Sequence, residues 1–594
     1  MCGILGTTQK IEDTLFKQAL DYMSHRGPDS SKVVTINDVT LGHKRLSIID
    51  LSDRGIQPMS SMNEDVHIVF NGEIYNFSEL KKTLLDQGVV FKSDTDTEVI
   101  LMGYIEYGVS FFEQLRGMWA FAILDKRNNT LILSRDFFGI KPLYYNYDGQ
   151  HISFASELRP LSTFTKFIPD KEAYEGYYAF GAMLFEHTGV AGVKQVLPGE
   201  VLVFNLLSKD LSRSLLCGIE KMTRPYHNLE DALSDSIKHH YISDVPVSIL
   251  FSGGVDSTLL ALMSKKQGFN PVCFVVEMPG STDGYYARKI ASHIDLPVEV
   301  VSFNKENFTH VYNEVLSKLD IPTSDISLLP TYAVFNSVKN KTKVALSGEG
   351  GDELFGGYMR HRFLYGTHIK NRSVILPKLY SDTYVGLKFI APLMYRLQNI
   401  INKITGDTIA TYATHALTFY DPVFLKKATD ILRSVDCRYK GVFPDSLIFD
   451  MSVYLPYMLM LKGDRSSMFN SVEGRVPFLD KPLFSYIHEL YAHEEKKLFF
   501  KEELKKILLK DVPRDLVYRK KQGFGVSPHI LGPQFKDDFK MAVDFHKKNK
   551  EYFGELPFAN LYINADGYDI VVEKYPRFAF GLITSFYVWK SYGL

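Results

Sequence analysis

The sequence feature that most constrains the fold is the hexapeptide SGGVDS at residues 252–257, which joins an apolar run to a helical pattern. The run before it, residues 245–251, is rich in β-branched side chains and predicts a strand buried on both faces. Apolar residues then recur at helical spacing, at Leu259, Leu260, Leu262 and Met263. Because Gly253 and Gly254 lack a Cβ, backbone N–H groups can close on an anion where the helix begins. The segment therefore predicts a phosphate-binding loop between a strand and a helix.

The identity of this loop depends on its acidic residue. A Gly-Gly pair between a strand and a helix is most often only a turn, and the loop lacks the lysine and the spacing of the G-x-x-x-x-G-K-[ST] motif. Asp256, however, would repel a phosphate unless a cation such as Mg²⁺ lay between them. The motif SGGxDS resembles the signature of pyrophosphate-loop ATP pyrophosphatases. That resemblance implies cleavage of ATP to AMP and pyrophosphate.

Composition narrows the class of protein. A chain of 594 residues is too long for one core, and predicts either three to five domain-sized units or two large ones. Lys plus Arg (68) balances Asp plus Glu (69), so no global basic field recruits nucleic acid. The spacing of the four cysteines is not that of a metal site or a disulfide scaffold. Without a targeting signal or an apolar run of membrane-spanning length, a soluble cytoplasmic protein is expected.

The start of the chain offers a possible nucleophile. Removal of Met1 would give Cys2 both a thiol and a free α-amine. An α-amine has an ordinary pKa of about 7.7–8.0, so it can accept the thiol proton near neutrality. A cysteine at this position is by itself weak evidence, because a free thiol usually has no role.

Further residues of the first 100 fit an amino-acid site beside this thiol. Asn71 and Gly72 follow a predicted strand, and a side-chain amide next to a backbone N–H can serve as donors to an oxyanion. Arg45 could bind an α-carboxylate as a fork, and Asp96 or Glu98 could bind an α-ammonium. Each of these residues alone is more often a turn, a cap or a surface charge.

The motifs together resemble a known family. They are CGI at residues 2–4, HRGPD at 25–29, RLSIID at 45–50, FNGEIYN at 70–76 and DTDTEVIL at 94–101. They resemble the glutaminase domain of class II glutamine amidotransferases. With the pyrophosphate loop in the same chain, the whole is similar to the glutamine-dependent (class B) asparagine synthetase family, over nearly its full length.

The resemblance implies an N-terminal nucleophile (Ntn) fold for residues 1–207, an α/β/β/α sandwich of two antiparallel sheets. It makes Cys2 the nucleophile that attacks the glutamine side-chain amide, with Asn71 and Gly72 also catalytic. Ammonia is released, and water then frees glutamate from a thioester. The glutamine-binding residues implied are Arg45, Leu46, Ser47, Ile48, Ile49, Asn71, Gly72, Glu73 and Asp96.

Residues 225–594 are expected to form the synthetase domain, a Rossmann-like parallel sheet with extra helices. A short strand at 344–346 runs into SGEGGDELFGGY at 347–358, whose carboxylates would repel one another without a cation. The resemblance implies that Asp256 and Asp352 hold Mg²⁺ and that Glu349 supports formation of an acyl-adenylate and its attack by ammonia. The ATP-binding residues implied are Leu250, Ser252, Gly253, Gly254, Asp256, Ser257, Val276, Ser347 and Gly348.

Two points stay open in the sequence. Lys462 and Arg465 lie three residues apart and can share a helical face, so either could reach the phosphate. The acceptor is expected to be the side-chain carboxylate of aspartate, giving asparagine through β-aspartyl-AMP and channelled ammonia. A peptide, sugar-acid or secondary-metabolite carboxylate is the alternative. For residues 363–449 no chemistry is predicted.

Other classes are less favoured. Pyrophosphate loops also occur in enzymes that act on tRNA, but the balanced charge speaks against a nucleic-acid partner. A scaffold with dead sites is improbable because Cys2, Asp256, Glu349 and Asp352 are all present. The partners expected are the small molecules glutamine, ATP and aspartate, with no membrane and a possible homodimer.

Overall fold

The computed structural model describes residues 2–216, 226–361, 409, 412–413, 422–434, 443–493, 499–519, 525–556 and 565–594. Most of the stretch 363–449, for which the sequence predicts no chemistry, lies outside the described residues.

Two antiparallel six-stranded sheets make up the first part of the chain. Their strands are β1 Gly3–Thr7, β2 Ser30–Ile36, β3 Val39–Arg45, β4 Met59–Ser60, β5 Val66–Ile74, β6 Gly117–Asp125, β7 Thr130–Arg135, β8 Tyr144–Tyr147, β9 Ile152–Ala155, β10 Val193–Gln195, β11 Glu200–Asn205 and β12 Leu211–Leu215. The first sheet has the order β10-β8-β9-β1-β3-β2 and the second β12-β11-β7-β6-β5-β4. Helices cover them at Asp13–Asp21, Phe77–Asp86, Asp96–Tyr107 and Lys171–Phe180.

Strand β6 shows why the sheets stack. Its side chains alternate between two apolar environments, as the two-residue period of a strand requires. Ala120, Ala122 and Leu124 pack against the other sheet, in a cluster with strands β1 and β3. Phe121 and Ile123 point the opposite way, into a cluster with the helices Phe77–Asp86 and Asp96–Tyr107. Both faces are therefore buried, and the predicted α/β/β/α sandwich is confirmed.

The edge strand β12 lies beyond residue 207, the predicted end of the first domain. It pairs with β11, and four of its five side chains are exposed. Because an edge strand can be polar on its outer positions, the sequence SKDLSRS at 208–214 resembles a linker although part of it is a strand.

The second part is built on a five-stranded sheet in which every pair is parallel. Its strands are β13 Val247–Leu250, β14 Cys273–Glu277, β15 Val298–Ser302, β16 Val344–Leu346 and β17 Glu473–Arg475, in the order β15-β14-β13-β16-β17. The predicted Rossmann-like parallel sheet is thus confirmed. Strands β13 and β16 are neighbours, so the loops that follow them meet at the carboxyl edge, where open α/β sheets bind ligands.

Helices surround this sheet, as predicted. They are Leu229–His240, Val255–Lys266, Asp283–His293, Lys305–Lys318, Leu328–Val338, Gly351–Phe355, Pro422–Ser434, Asp445–Phe449, Met460–Met468, Lys481–His493, Glu502–Leu508, Arg514–Val517, Pro533–Lys548, Lys550–Phe553, Ala565–Lys574 and Pro576–Ser591. The apolar end of the chain forms the buried helix Pro576–Ser591. Among the described helices, none combines the length and apolarity needed to cross a bilayer.

Candidate active site

The first pocket lies at the start of the chain. Cys2 immediately precedes β1 and is 8% exposed. It opens onto a pocket lined by Cys2, Arg45, Leu46, Ile48, Ile49, Gly55, Gln57, Phe70, Gly72, Glu73, Thr95, Asp96, Thr97 and Glu473. Seven of the nine predicted glutamine-binding residues, together with Cys2, therefore line one cavity. The two that do not line it are Asn71 and Ser47, and the backbone N–H of Ser47 points away to the Asp29 carboxylate at 2.7 Å.

Asn71 at the middle of β5 faces the thiol-bearing residue. Its Oδ1 accepts a hydrogen bond from the Cys2 backbone nitrogen at 3.0 Å. Its Nδ2 is buried and has no hydrogen-bond partner among the described residues. A buried donor without a partner is costly, so this amide is free to bind an oxyanion. Next to it, a Cβ on Gly72 would lie 2.1 Å from the Met118 carbonyl oxygen, which explains the glycine.

The Cys2 thiol is not a ready-made thiolate. Burial raises its pKa above the ordinary value, against the opposing effects of the positive chain start, the Leu46 backbone and Arg45. The thiol therefore needs a base. If Met1 is removed, the nitrogen that donates to Asn71 becomes the α-amine, and it lies within the same residue.

Arg45, at the end of β3, is fixed at the pocket wall. Its guanidinium donates to the carbonyl oxygens of Ser52 at 2.8 Å and Asp50 at 2.5 Å. A Cβ on Gly55 would lie 2.1 Å from the guanidinium, so this glycine makes room for the charge. Among the described residues, the guanidinium of Arg45 bonds only carbonyl oxygens, so the loop after β3 holds its positive charge at the pocket without a carboxylate partner.

Of the two acids considered for an α-ammonium, only Asp96 reaches the pocket. It begins the helix Asp96–Tyr107, accepts the Ile74 backbone N–H at 3.0 Å, and burial raises its pKa to about 6. Glu98 instead accepts bonds from the backbone of residues 92 and 93. Beside Asp96 lies Glu73, which is 3% exposed. The pocket also contains Glu473, which the sequence reasoning missed because it lies 400 residues further along the chain.

The second site is the pyrophosphate loop. The helix Val255–Lys266 begins after Gly254, and Gly253 has φ +66°, the left-handed conformation that favours glycine. The Ser252 hydroxyl bonds the Gly254 N–H and the Ser257 hydroxyl, each at 3.2 Å. Arg519 donates to the carbonyl oxygens of Ser252 and Gly253 at 3.0 Å, so it supports the loop from behind.

The two carboxylates predicted to hold Mg²⁺ lie together. Lys501 binds both, with its Nζ at 2.5 Å from Asp256 Oδ2 and in contact with Asp352. Burial opposes its charge, but the two carboxylates raise the pKa of Lys501 above the ordinary value. Asp256 Oδ1 is buried without a hydrogen-bond partner among the described residues. Lys501 was not anticipated, because nothing local in its sequence marks it.

These oxygens fit a magnesium ion that shares its ligands with phosphates. Within the part of the chain that the structure describes, no cluster of three or more His, Cys, Asp or Glu side chains has metal-binding geometry. Mg²⁺ typically takes one or two carboxylates and completes its shell with water and substrate phosphates. Asp256 and Asp352 match that donor set.

The loop after β16 packs directly on the pyrophosphate loop. A Cβ on Gly348 would lie 2.9 Å from Asp256 Cβ, so only glycine allows this approach. Ser347 donates its hydroxyl to Glu349 at 3.2 Å, and Lys462 Nζ lies 2.8 Å from the other Glu349 oxygen. Of the remaining predicted contacts, Leu250 ends β13 and Val276 lies buried in the neighbouring β14.

The structure shows which of the two candidate cations, Lys462 or Arg465, lies near Glu349. Lys462 lies at Glu349, whereas Arg465 is buried with Asp320 at 3.0 Å, Glu157 at 3.5 Å and Asp464 at 3.4 Å. Lys462 is therefore the cation of this pair that reaches the nucleotide-side loop.

Arg26 joins the first pocket to the same helix, Met460–Met468. Its Nε donates to the Cys2 carbonyl oxygen at 3.0 Å, and its two terminal nitrogens bind Asp464 at 2.8 and 2.9 Å. Since Lys462 lies one half-turn away, a single helix contacts the thiol-bearing residue through Arg26 and Glu349 through Lys462.

Comparisons with known proteins cover both parts of the chain. A family model described as a glutamine amidotransferase domain matches residues 1–213, and one described as asparagine synthase matches residues 228–558. "Asparagine synthetase [glutamine-hydrolyzing] 1" of Bacillus subtilis is 32% identical over 559 residues, 89% of this chain and 87% of the relative. "Asparagine synthetase B [glutamine-hydrolyzing]" of Escherichia coli is 31% identical over 387 residues, 60% of this chain and 65% of the relative. "Amidase chyE" of Penicillium rubens is 25% identical over 605 residues, 92% of this chain and 89% of the relative.

Proposed function

Because this chain belongs to the asparagine synthase family and is a glutamine-hydrolysing ligase that uses ATP, we propose that it converts aspartate, glutamine, ATP and water to asparagine, glutamate, AMP and pyrophosphate. The reaction passes through β-aspartyl-AMP. Residues 1–207 carry the glutaminase and residues 225–594 the synthetase. The observation that carries the proposal is the helix Met460–Met468, which contacts both Glu349 and, through Arg26, the Cys2 carbonyl.

In the glutaminase half, Cys2 attacks the side-chain amide of glutamine. Its α-amine takes the thiol proton, and Asn71 Oδ1 orients that amine. The free Nδ2 of Asn71 stabilises the oxyanion of the tetrahedral intermediate. Collapse of that intermediate expels ammonia and leaves a glutamyl thioester, which water hydrolyses. Arg45 and Asp96 hold the α-carboxylate and α-ammonium of glutamine.

In the synthetase half, the pyrophosphate loop and the helix Val255–Lys266 bind the phosphates through backbone N–H groups. Asp256 and Asp352 would hold Mg²⁺, which neutralises the leaving pyrophosphate when bound. The acceptor carboxylate attacks the α-phosphorus and displaces pyrophosphate. Lys462 stabilises the negative charge on the oxygens of the pentavalent phosphorus, and Glu349 accepts the proton that ammonia loses when it attacks the acyl-adenylate.

Ammonia has to move between the sites without reaching water, because at pH 7 it would become ammonium. A cavity between the two parts of the chain supports such a passage. It is lined from the first part by Arg135, Ile140, Tyr144 and Met183, and from the second by Ile321, Tyr457, Leu461 and Asp464, among others. Leu461 and Asp464 belong to the helix that carries Lys462.

The identity of the acceptor carboxylate is inferred from the names of similar proteins. Aspartate is preferred because several relatives are named asparagine synthetases over most of their length. The relative named amidase chyE matches 92% of this chain, which favours keeping a second candidate, the same chemistry on another carboxylate. Cytoplasmic localisation and a homodimeric state remain predictions from the sequence.

The proposal is tested by pyrophosphate release from ATP and Mg²⁺ with glutamine, with and without aspartate, while asparagine is measured by chromatography. Aspartate-dependent pyrophosphate matched by asparagine is expected. Glutamine hydrolysis with no response to aspartate would refute the acceptor and direct the search to other carboxylates.

The variant Cys2→Ala tests the assignment of the glutaminase and synthetase reactions to separate parts of the chain. This variant should lose glutamine-dependent synthesis yet keep ammonia-dependent synthesis, because its synthetase residues are untouched. Loss of both activities would contradict the assignment of separate half-sites.

A further inference from the structure

One strand of the parallel sheet begins at the glutamine pocket. Strand β17 Glu473–Arg475 belongs to the second part of the chain, yet Glu473 lines the same cavity as Cys2. Glu473 and Arg475 are both fully buried. The glutamine pocket therefore has a wall that the first part of the chain does not supply.

Arg475 connects the acids of this pocket. Its Nε donates to Glu473 Oε1 at 2.6 Å, and a terminal nitrogen lies 3.2 Å from Glu73 Oε2. Its other terminal nitrogen donates to the carbonyl oxygens of His240 and Ile242 at 2.9 and 2.6 Å. The guanidinium is thus fixed by two carbonyls, and its remaining nitrogen forms an ion pair with Glu73 that lacks hydrogen-bond geometry. The second oxygen of Glu73, Oε1, has no hydrogen-bond partner among the described residues.

The charges make this contact necessary. Burial raises the pKa of Glu73 well above its ordinary value, Arg475 lowers it, and the neighbours Asp96 and Glu473 raise it again. Without the guanidinium, three carboxylates would share one buried site, and repulsion would keep one of them protonated. By lowering the pKa of Glu73, the guanidinium favours its carboxylate form, which an α-ammonium needs.

The main chain of Arg475 is held by the nucleotide side. Its carbonyl oxygen accepts the Ser347 N–H at 2.8 Å, and the Glu473 N–H donates to the Lys343 carbonyl oxygen at 2.7 Å. Strand β17 pairs in parallel with β16, which runs into the loop bearing Glu349. The position of the guanidinium behind Glu73 is therefore set by the synthetase sheet.

We propose that Arg475 is a positioning residue of the glutaminase reaction, which holds the Glu73 carboxylate in place towards the α-ammonium of glutamine. The proposal rests on the proposed function and goes beyond it, because it places a residue of the synthetase sheet in glutamine selection. The competing explanation is that Arg475 only holds the two parts of the chain together.

The chain offers a matched control for that explanation. Arg116 is equally buried and also joins the two parts, through Asp480 at 2.8 Å and Asp235 at 2.8 Å. It does not line the glutamine pocket. Arg116→Gln therefore breaks a comparable contact without altering the charges around Glu73.

The experiment measures glutamate release from glutamine, and from 4-carbamoylbutanoate, which has the same side-chain amide but no α-ammonium. For Arg475→Gln, the KM for glutamine is expected to rise at least about tenfold, with kcat changed less than about threefold. The preference for glutamine over 4-carbamoylbutanoate should fall by a similar factor. Arg475→Lys restores a charge and should recover most of the preference.

A further variant guards against misfolding. Arg475→Gln combined with Glu473→Gln leaves no new unpaired charge at Glu473, and it should retain the defect in glutamine preference. The proposal is overturned if either Gln variant hydrolyses glutamine with the wild-type preference, or if Arg116→Gln lowers the preference equally. Absence of glutamine hydrolysis by the wild-type protein would instead refute the proposed function.

Discussion

Replacing Arg26 by methionine should loosen the contact between the two parts of the chain. Arg26 has no exposed surface and binds Asp464 with two hydrogen bonds, Glu157 at 3.0 Å and the Cys2 carbonyl. Methionine fills similar volume but leaves the two carboxylates without this cation.

The expected loss of stability depends on which partners the two carboxylates retain in the variant. Removing one partner of a buried ion pair costs about 3–5 kcal/mol. In the variant, Glu157 still has His25 at 3.0 Å and Asp464 still has Arg465 at 3.4 Å as partners. The free energy of unfolding should therefore fall by about 3 kcal/mol, the lower end of that range. If the free energy of unfolding falls by about 3 kcal/mol per molar urea, the midpoint of unfolding should move down by about 1 M urea.

The two tryptophans of the chain provide the assay. Trp119 lies in β6 and Trp589 in the helix Pro576–Ser591, and both are buried. Urea unfolding followed by fluorescence in a Trp589→Phe background reports the first part of the chain through Trp119 alone. The same titration with Trp119→Phe reports the other part.

A surface arginine is the control. Arg213 pairs with Glu186 and Glu200, but its side chain is 37% exposed, and such pairs contribute about 0–1 kcal/mol. Arg213→Met should therefore shift the midpoint by less than about 0.3 M. If Arg26→Met shifts it no further than Arg213→Met, the reasoning from buried charge is wrong.

Three further predictions concern the two sites. Lys462→Met should reduce ammonia-dependent pyrophosphate release at least about a hundredfold, while glutamine hydrolysis changes little; equal loss of both would contradict its placement at Glu349. Gly348→Ala should abolish ATP binding in calorimetry, since its Cβ would lie 2.9 Å from Asp256 Cβ, and unchanged affinity would show that the loop can yield. Because burial raises the pKa of Asp96 to about 6, it is ionised above that pH and protonated below it, so the glutamine KM should rise about tenfold per pH unit below about 6. A KM that stays flat from pH 7 to 5 would exclude Asp96 as the ammonium partner.

The local sequence was enough to predict secondary structure where residues within a short segment determine its conformation. The hexapeptide at 252–257 predicts a strand, a turn and a helix start because glycine conformation and hydrophobic period act over a few residues. The apolar run of β6 likewise predicts a strand buried on both faces, although the sequence does not say which neighbour each face meets. The edge strand β12 resembles a linker for the opposite reason, since pairing and not residue type makes it a strand.

By itself, the sequence determined the fold class and indicated the two segments proposed to react, because Cys2 and the pyrophosphate loop are each recognisable within a few neighbours. Only the tertiary structure decided which charges meet. It directs Lys462 rather than Arg465 to Glu349, and it brings Lys501 to Asp256 across 245 residues. The physical reason is that a buried charge is stabilised by whichever partner the packed chain brings within about 3 Å, and that partner leaves no mark in the local sequence.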